Sequence, residues 1–164
     1  MNAPNIIRDG TELLAIRKKL KDEGKKVVFT NGCFDILHGG HVDYLNKAKE
    51  FGDVLLVALN SDKSTASIKG DKRPIVKEDE RAFIVANLKA VDYVTFFDED
   101  TPERIIDELI PDFLVKGADW NIENIVGAKT VTERGGEVKT IEFVSNSSTS
   151  KIIDVILERY GFGN

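Results

Sequence analysis

The run VLLVALN, Val54 to Asn60, places apolar side chains at every position through Leu59. A strand with one wet face alternates apolar and polar residues, so this one must be buried on both faces, as in the middle of a parallel sheet covered by helices. Parallel neighbours cannot be joined by hairpins; they need crossover segments, which are right-handed almost without exception. The rest of the pattern supplies them. Helical spacing is expected over Thr11–Glu23, with Leu13, Leu14, Ile16 and Leu20 on its apolar side and Gly24 after it. Val27–Thr30 reads as a buried strand, Val42–Phe51 as a helix stopped by Gly52, and Ser61–Pro74 as a polar loop. Glu78–Leu88 reads as a helix, Val91–Phe97 as a strand, and Thr101 as the cap of a helix running to about Ile110 with Pro102 in its first position. Asp112–Gly117 is the fourth expected strand, Ile122–Arg134 a helix and Glu137–Phe143 the fifth strand; a last helix, capped by Ser148 or Thr149, ends near Tyr160.

Five strands alternating with helices, after an extra N-terminal helix within residues 1–24, predict an α/β fold: a doubly wound, five-stranded parallel sheet in one domain over 1–164. Ligands of such sheets bind beyond the carboxyl ends of the strands, where the winding reverses. The first strand flanks that point, and its carboxyl end opens the stretch TNGCFDILHGGHVDYL, Thr30 to Leu45, which holds both histidines of the chain.

Composition narrows the function classes. The net charge of -5 argues against general nucleic-acid binding, which needs a basic surface. No apolar run approaches the ~20 residues of a membrane span, and the N-terminus has no secretory signal pattern. A single cysteine, Cys33, excludes an internal disulfide and suits the cytoplasm. A local cluster of donors can still hold a small anion on an acidic protein.

The histidine stretch offers such a cluster. A helix beginning near His41 presents unpaired N–H groups and a partial positive charge. Gly39 and Gly40 let a phosphate approach the backbone, and the imidazoles, with an unperturbed pKa of ~6.5, can be partly protonated near neutrality. Two histidines three residues apart can also share a metal, but no third ligand stands at convincing spacing. A cap and a core histidine would explain either residue alone, though not their convergence with the glycines and the strand end.

The string TNGCFDILHGGH resembles the signature of the His-x-Gly-His nucleotidyltransferases: His38-Gly39-Gly40-His41 preceded by Gly32, Phe34 and Asp35. SSTSKII, Ser147 to Ile153, resembles the Ser-Thr-Thr segment with which that family opens its last helix. The phrases KKVVFTNGCFDILHGGHVDYL, NSDKSTASIKGDKRP, DEDTPERII and PDFLVKGADW are similar to those of its members acting on heptose 1-phosphate, often the C-terminal half of a bifunctional protein with a sugar kinase. The resemblance implies a Rossmann-like fold and transfer of AMP from ATP to a sugar 1-phosphate, giving ADP-heptose and pyrophosphate for lipopolysaccharide precursors. It also implies a homodimer and, with no kinase half in the sequence, a separate sugar kinase upstream.

The implied roles follow the motif. His38 and His41 donate to phosphate; Lys69 and Arg73, in IKGDKRP, close over the triphosphate as a flap, although a solvated loop would look the same. Gly32, Phe34, Asp35 and Gly40 line the nucleotide, with Asp35 as ready to hold loop amides as to touch substrate. Arg81 matches an arginine of related cytidylyltransferases or pairs with a nearby acid. Lys116 and Gly117 end the fourth strand on the same rim, followed by Asp119 and Trp120; Ser148, Thr149 and Ser150 meet phosphate at the last helix. Mg²⁺ comes with the ATP phosphates, with no protein metal ligands expected. FVSNS, in place of the Arg-Thr-Glu-Gly-Ile of glycerol-phosphate cytidylyltransferases, leans towards ATP. A cytidylyltransferase for a phosphorylated alcohol, an FMN adenylyltransferase and a non-catalytic nucleotide-binding module remain alternatives.

Overall fold

A computed structural model describes residues 3–118, 124–142 and 148–161. Five strands, β1 (Val27–Gly32), β2 (Val54–Asn60), β3 (Tyr93–Phe97), β4 (Phe113–Gly117) and β5 (Glu137–Ile141), form one sheet in the order β3-β2-β1-β4-β5. Every pairing is parallel. The order runs outward from β1 in both directions, so the winding reverses between β1 and β4.

Helices α1 (Gly10–Asp22), α2 (Gly39–Lys49), α3 (Asp62–Lys69), α4 (Glu78–Ala86), α5 (Glu103–Leu109), α6 (Ala128–Glu133) and α7 (Thr149–Tyr160) connect and flank the strands. The period of two along β2 sorts its side chains between two cores. Leu55, Val57 and Leu59 pack with Leu45 and Ala48 of α2 and Ala82 and Val85 of α4. Leu56 and Ala58 pack on the other face with Leu13 of α1, Ile105 and Ile106 of α5 and Val131 of α6. All seven residues of β2 are buried, as its two-faced apolarity requires.

The N-terminal extension does more than cover a face. Ile6 bridges Val94 in parallel, protecting the outer edge of β3. Arg17 of α1 donates from Nε to the carbonyl of Leu109 at 3.0 Å and from Nη2 to that of Ile110 at 2.8 Å, capping the end of α5.

Several boundaries differ from the sequence expectations. The polar stretch Ser61–Pro74 is not all loop: α3 lies in it, capped by the Ser61 hydroxyl on the Ser64 amide and ended by Gly70 at φ 93°. It buries Ser64 and Thr65 rather than an apolar face, so apolar periodicity does not reveal it. β1 extends to Gly32 because Asn31 and Gly32 still pair with Ala58 and Leu59. α2 starts at Gly39, which makes His38 its N-cap residue. Pro102, not Thr101, is the cap of α5. α6 begins at Ala128, six residues after the expected start. Among the described residues no helix is long and apolar enough to cross a membrane.

Candidate functional site

A cavity of about 590 Å³ opens over the carboxyl ends of β1, β2 and β4, at the point where the winding reverses. Its floor is the end of β1 and the turn after it. Phe34 adopts φ 46°, a left-handed conformation that bulky residues seldom take. Its ring lies so close over Gly32 that a Cβ there would sit 3.0 Å from Phe34 Cε2, so any other residue would have to displace the ring. The same ring tilts against His41 at 5.2 Å between centroids and forms the wall behind the imidazole.

His38 and His41 are stacked, with centroids 3.9 Å apart and planes 28° from parallel. His41 faces the cavity; His38 lies against it, outside the lining. The Nδ1 atoms of both rings are buried without a hydrogen-bond partner among the described residues. Burial first, and then the neighbouring His38, push the His41 pKa down to about 4. Burial pushes that of His38 below its ordinary value as well. In the ligand-free site, burial therefore favours the neutral form of both stacked imidazoles. The charge at the start of α2 comes instead from the helix, whose first amides precede any intrahelical acceptor.

Three cationic side chains line the same cavity: Lys69 at the end of α3, Arg73 in the loop after it and Lys116 on β4. Lys116 donates to Asn31 Oδ1. Ser148, Thr149 and Ser150 bring the start of α7 to the rim; Ser148 caps that helix on the Lys151 amide at 3.2 Å, and Thr149 Oγ1 donates to the Ile36 carbonyl at 3.4 Å. Two helix N-termini thus meet at one opening, a setting for anionic groups.

Asp35 plays a scaffolding part. It is 3% exposed, accepts from the amides of Ile75 and Val76 at 2.8 Å each, and pairs with Arg73 Nε. Burial raises its pKa, but the Val76 and Ile75 amides and Arg73 outweigh this and hold it below the ordinary carboxylate value. It ties the 73–76 segment to the turn after β1 and presents the Arg73 guanidinium to the cavity.

Arg81 does not reach the cavity. Its side chain is wholly buried, with Nε on the Val76 carbonyl at 2.9 Å, Nη1 on the carbonyls of Cys33 at 2.6 Å and Asn60 at 2.9 Å, and Nη2 on Asp62 Oδ1 at 2.9 Å. Gly40 and Gly117 are buried beneath the rim and Asp119 and Trp120 lie outside the described residues. No group of three or more His, Cys, Asp or Glu among the described residues is placed to hold a metal ion.

The family model described as Cytidylyltransferase-like matches residues 29–155, from β1 into α7. The chain belongs to the cytidylyltransferase-like family. It is 58% identical over 137 residues to the bifunctional protein HldE of Citrifermentans bemidjiense, covering 84% of this chain and 28% of that protein. The chain therefore spans under a third of the length of this curated relative. The crystal structure of a lipopolysaccharide core biosynthesis protein from Thermoplasma volcanium superposes with a TM-score of 0.60 at 31% identity, over 76% of this chain and 100% of that one. Pantoate-beta-alanine ligase from Francisella tularensis, complexed with beta-gamma ATP and beta-alanine, shares the fold, with a TM-score of 0.62 at 14% identity over 90% and 69%.

In this cytidylyltransferase-like domain the cavity also takes in Asn31, Asn60, Asp100 and Thr101, which lie inside the resembling phrases although residue type alone gives none of them a role. Their signal was positional: each ends a strand or follows one on the ligand side of the sheet. Ile68 and Ile125 add apolar surface.

Proposed function

We propose that the chain transfers the adenylyl group of ATP to heptose 1-phosphate, releasing pyrophosphate and ADP-heptose. The observation that carries this reading is His41 at the start of α2, backed by the stacked His38, set at the reversal of the sheet and sharing one cavity with Lys69, Arg73, Lys116 and the start of α7. A phosphate oxygen of the sugar attacks the α-phosphorus of ATP, and the bond to the bridging oxygen of the leaving pyrophosphate breaks. The attacking group is already anionic, so neither a general base nor a protein nucleophile is needed, and Cys33 stays outside the chemistry. Positioning and charge stabilisation supply the catalysis. His41, backed by Phe34 and His38, donates to phosphoryl oxygens, and Lys69 and Arg73 balance charge on the β- and γ-phosphates. Lys116 and the Ser148–Ser150 segment hold the nucleotide.

The donor set fits Mg²⁺ carried in on the nucleotide. Of the two carboxylates lining the cavity, Asp35 is committed to Arg73 and two amides, so Mg²⁺ would be held by the ATP phosphates rather than by a protein carboxylate. Bound Mg²⁺ would neutralise phosphate charge. ATP and a heptose acceptor are favoured over CTP and glycerol 3-phosphate by the similarity to the HldE region and by FVSNS before α7. A sugar kinase would supply the acceptor, in the cytoplasm. For the homodimer, the support is α7, a helix with no buried residue whose Val155, Ile156, Leu157 and Tyr160 are exposed.

Pyrophosphate release measured with ATP or CTP against heptose 1-phosphate and glycerol 3-phosphate tests the reading. ATP with heptose 1-phosphate should be fastest, and His41→Ala should lower its turnover about 10²-fold or more, the scale of one lost transition-state donor, with ATP still bound. Faster reaction of CTP with glycerol 3-phosphate would overturn the assignment, and equal loss of binding and turnover in His41→Ala would favour a nucleotide sensor.

A further inference from the structure

Asn60, Asp100 and Thr101 line the cavity, yet phosphate chemistry has no use for them. Asn60 ends β2 and is 3% exposed. Its carbonyl accepts from Arg81 Nη1, and its Nδ2 donates to Ser64 Oγ at 2.9 Å. Ser64 in turn commits its one proton to the Glu99 carbonyl at 2.7 Å. Ser64 can therefore only accept from Asn60, which fixes the amide's orientation with its nitrogen towards Ser64. Oδ1 and the second N–H of Asn60 have no partner among the described residues, on a nearly buried side chain that borders the cavity.

The turn carrying Asp100 and Thr101 lies beside it. Asn60 pairs with Phe97, the Ser61 amide donates to the Phe97 carbonyl at 3.0 Å, and Ser64 holds Glu99. An amide offering one acceptor and one donor suits a hydroxyl, which both donates and accepts. A phosphate oxygen only accepts, and both Asn60 Oδ1 and the Asp100 carboxylate would repel it. Lys116 stands on β4, on the opposite side of β1 from β2 and β3. Lys69 and Arg73 follow α3 and face the same cavity, but the ends of β2 and β3 present an amide, a carboxylate and a hydroxyl in Asn60, Asp100 and Thr101, a hydroxyl-matching corner.

We propose that Asn60, Asp100 and Thr101 form a subsite that binds the hydroxyls of the acceptor sugar and sets acceptor specificity. This rests on the reading of the acceptor as a sugar 1-phosphate. Asp100 and Thr101 are exposed, so replacing them leaves the fold intact. Steady-state kinetics with ATP and heptose 1-phosphate compare the native chain with Asp100→Ala and Thr101→Val. Each variant should raise KM for heptose 1-phosphate about tenfold, the scale of one hydrogen bond involving a charged or desolvated partner, with KM for ATP within about twofold of native. An unchanged KM for heptose 1-phosphate in both variants overturns the subsite. So does a rise confined to KM for ATP, which would assign the corner to the ribose. A native chain that releases no pyrophosphate with heptose 1-phosphate overturns the proposed reaction and the acceptor assignment with it, an outcome distinct from the variant results.

Discussion

Replacing Arg81 with methionine separates a structural arginine from a substrate-binding one. The guanidinium is wholly buried and makes four hydrogen bonds, joining the end of β2, the turn after β1, the 73–76 segment and α3. Methionine fills much of the volume but satisfies none of the acceptors. The carbonyls of Cys33 and Val76 lose their Arg81 donor, while that of Asn60 keeps Thr65 Oγ1 at 3.4 Å. Asp62 keeps Lys77 at 3.4 Å and the Glu78 amide at 2.9 Å, so its charge is not wholly stranded. At ~1 kcal/mol per lost hydrogen bond the sum is ~4 kcal/mol, within the ~3–5 kcal/mol typical of removing one partner from a buried ion pair. With a urea m-value of ~2 kcal/mol/M, the unfolding midpoint followed by circular dichroism should fall by about 2 M with m unchanged. Arg81→Lys should recover less than half of this, because an ammonium cannot reproduce a planar fork aimed at four acceptors. KM for ATP, measured well below the unfolding transition, should stay within about threefold of native. A midpoint within ~0.3 M of native, combined with a KM for ATP raised tenfold, would refute the structural assignment and return Arg81 to the nucleotide.

Two further predictions concern the charges of the site. Because the folded pKa of His41, about 4, lies below its ordinary 6.5, the unfolded chain binds the extra proton between those values. Stability should therefore be level above pH 7 and fall as pH drops from about 6.5 towards 4, and His41→Asn should flatten that decline in urea midpoints compared at pH 7.5 and 5; an NMR titration of His41 centred near 6.5 in the free protein would contradict the burial argument. Asp35→Asn removes the charge that fixes Arg73 and one acceptor of the 73–76 segment, at a cost of about 1–3 kcal/mol at pH 7. Since the native carboxyl lies below 3.8, that contribution is present above this value and fades as pH falls through the folded pKa, so thermal melts of the two proteins should converge in acid.

Local signals in the chain determined much of this architecture. Apolar runs can only be buried strands, so β1, β2 and β4 and the parallel sheet were legible, and the glycine-histidine turn marked the ligand end of β1. The same signals missed α3, because Ser64 and Thr65 are buried through hydrogen bonds rather than apolar contact. Tertiary structure alone decided what the polar residues do, since their roles depend on what surrounds them. Arg81 and Asp35 each left two roles open in one dimension, and it is burial that gives both of them protein partners. His38 and His41 could be partly protonated as free imidazoles, and only their stacking and burial in the fold push both pKa values down. Asn60 has no role that residue type reveals, and only the closing of β2 against β3 brings it, with Asp100 and Thr101, to the corner of the cavity.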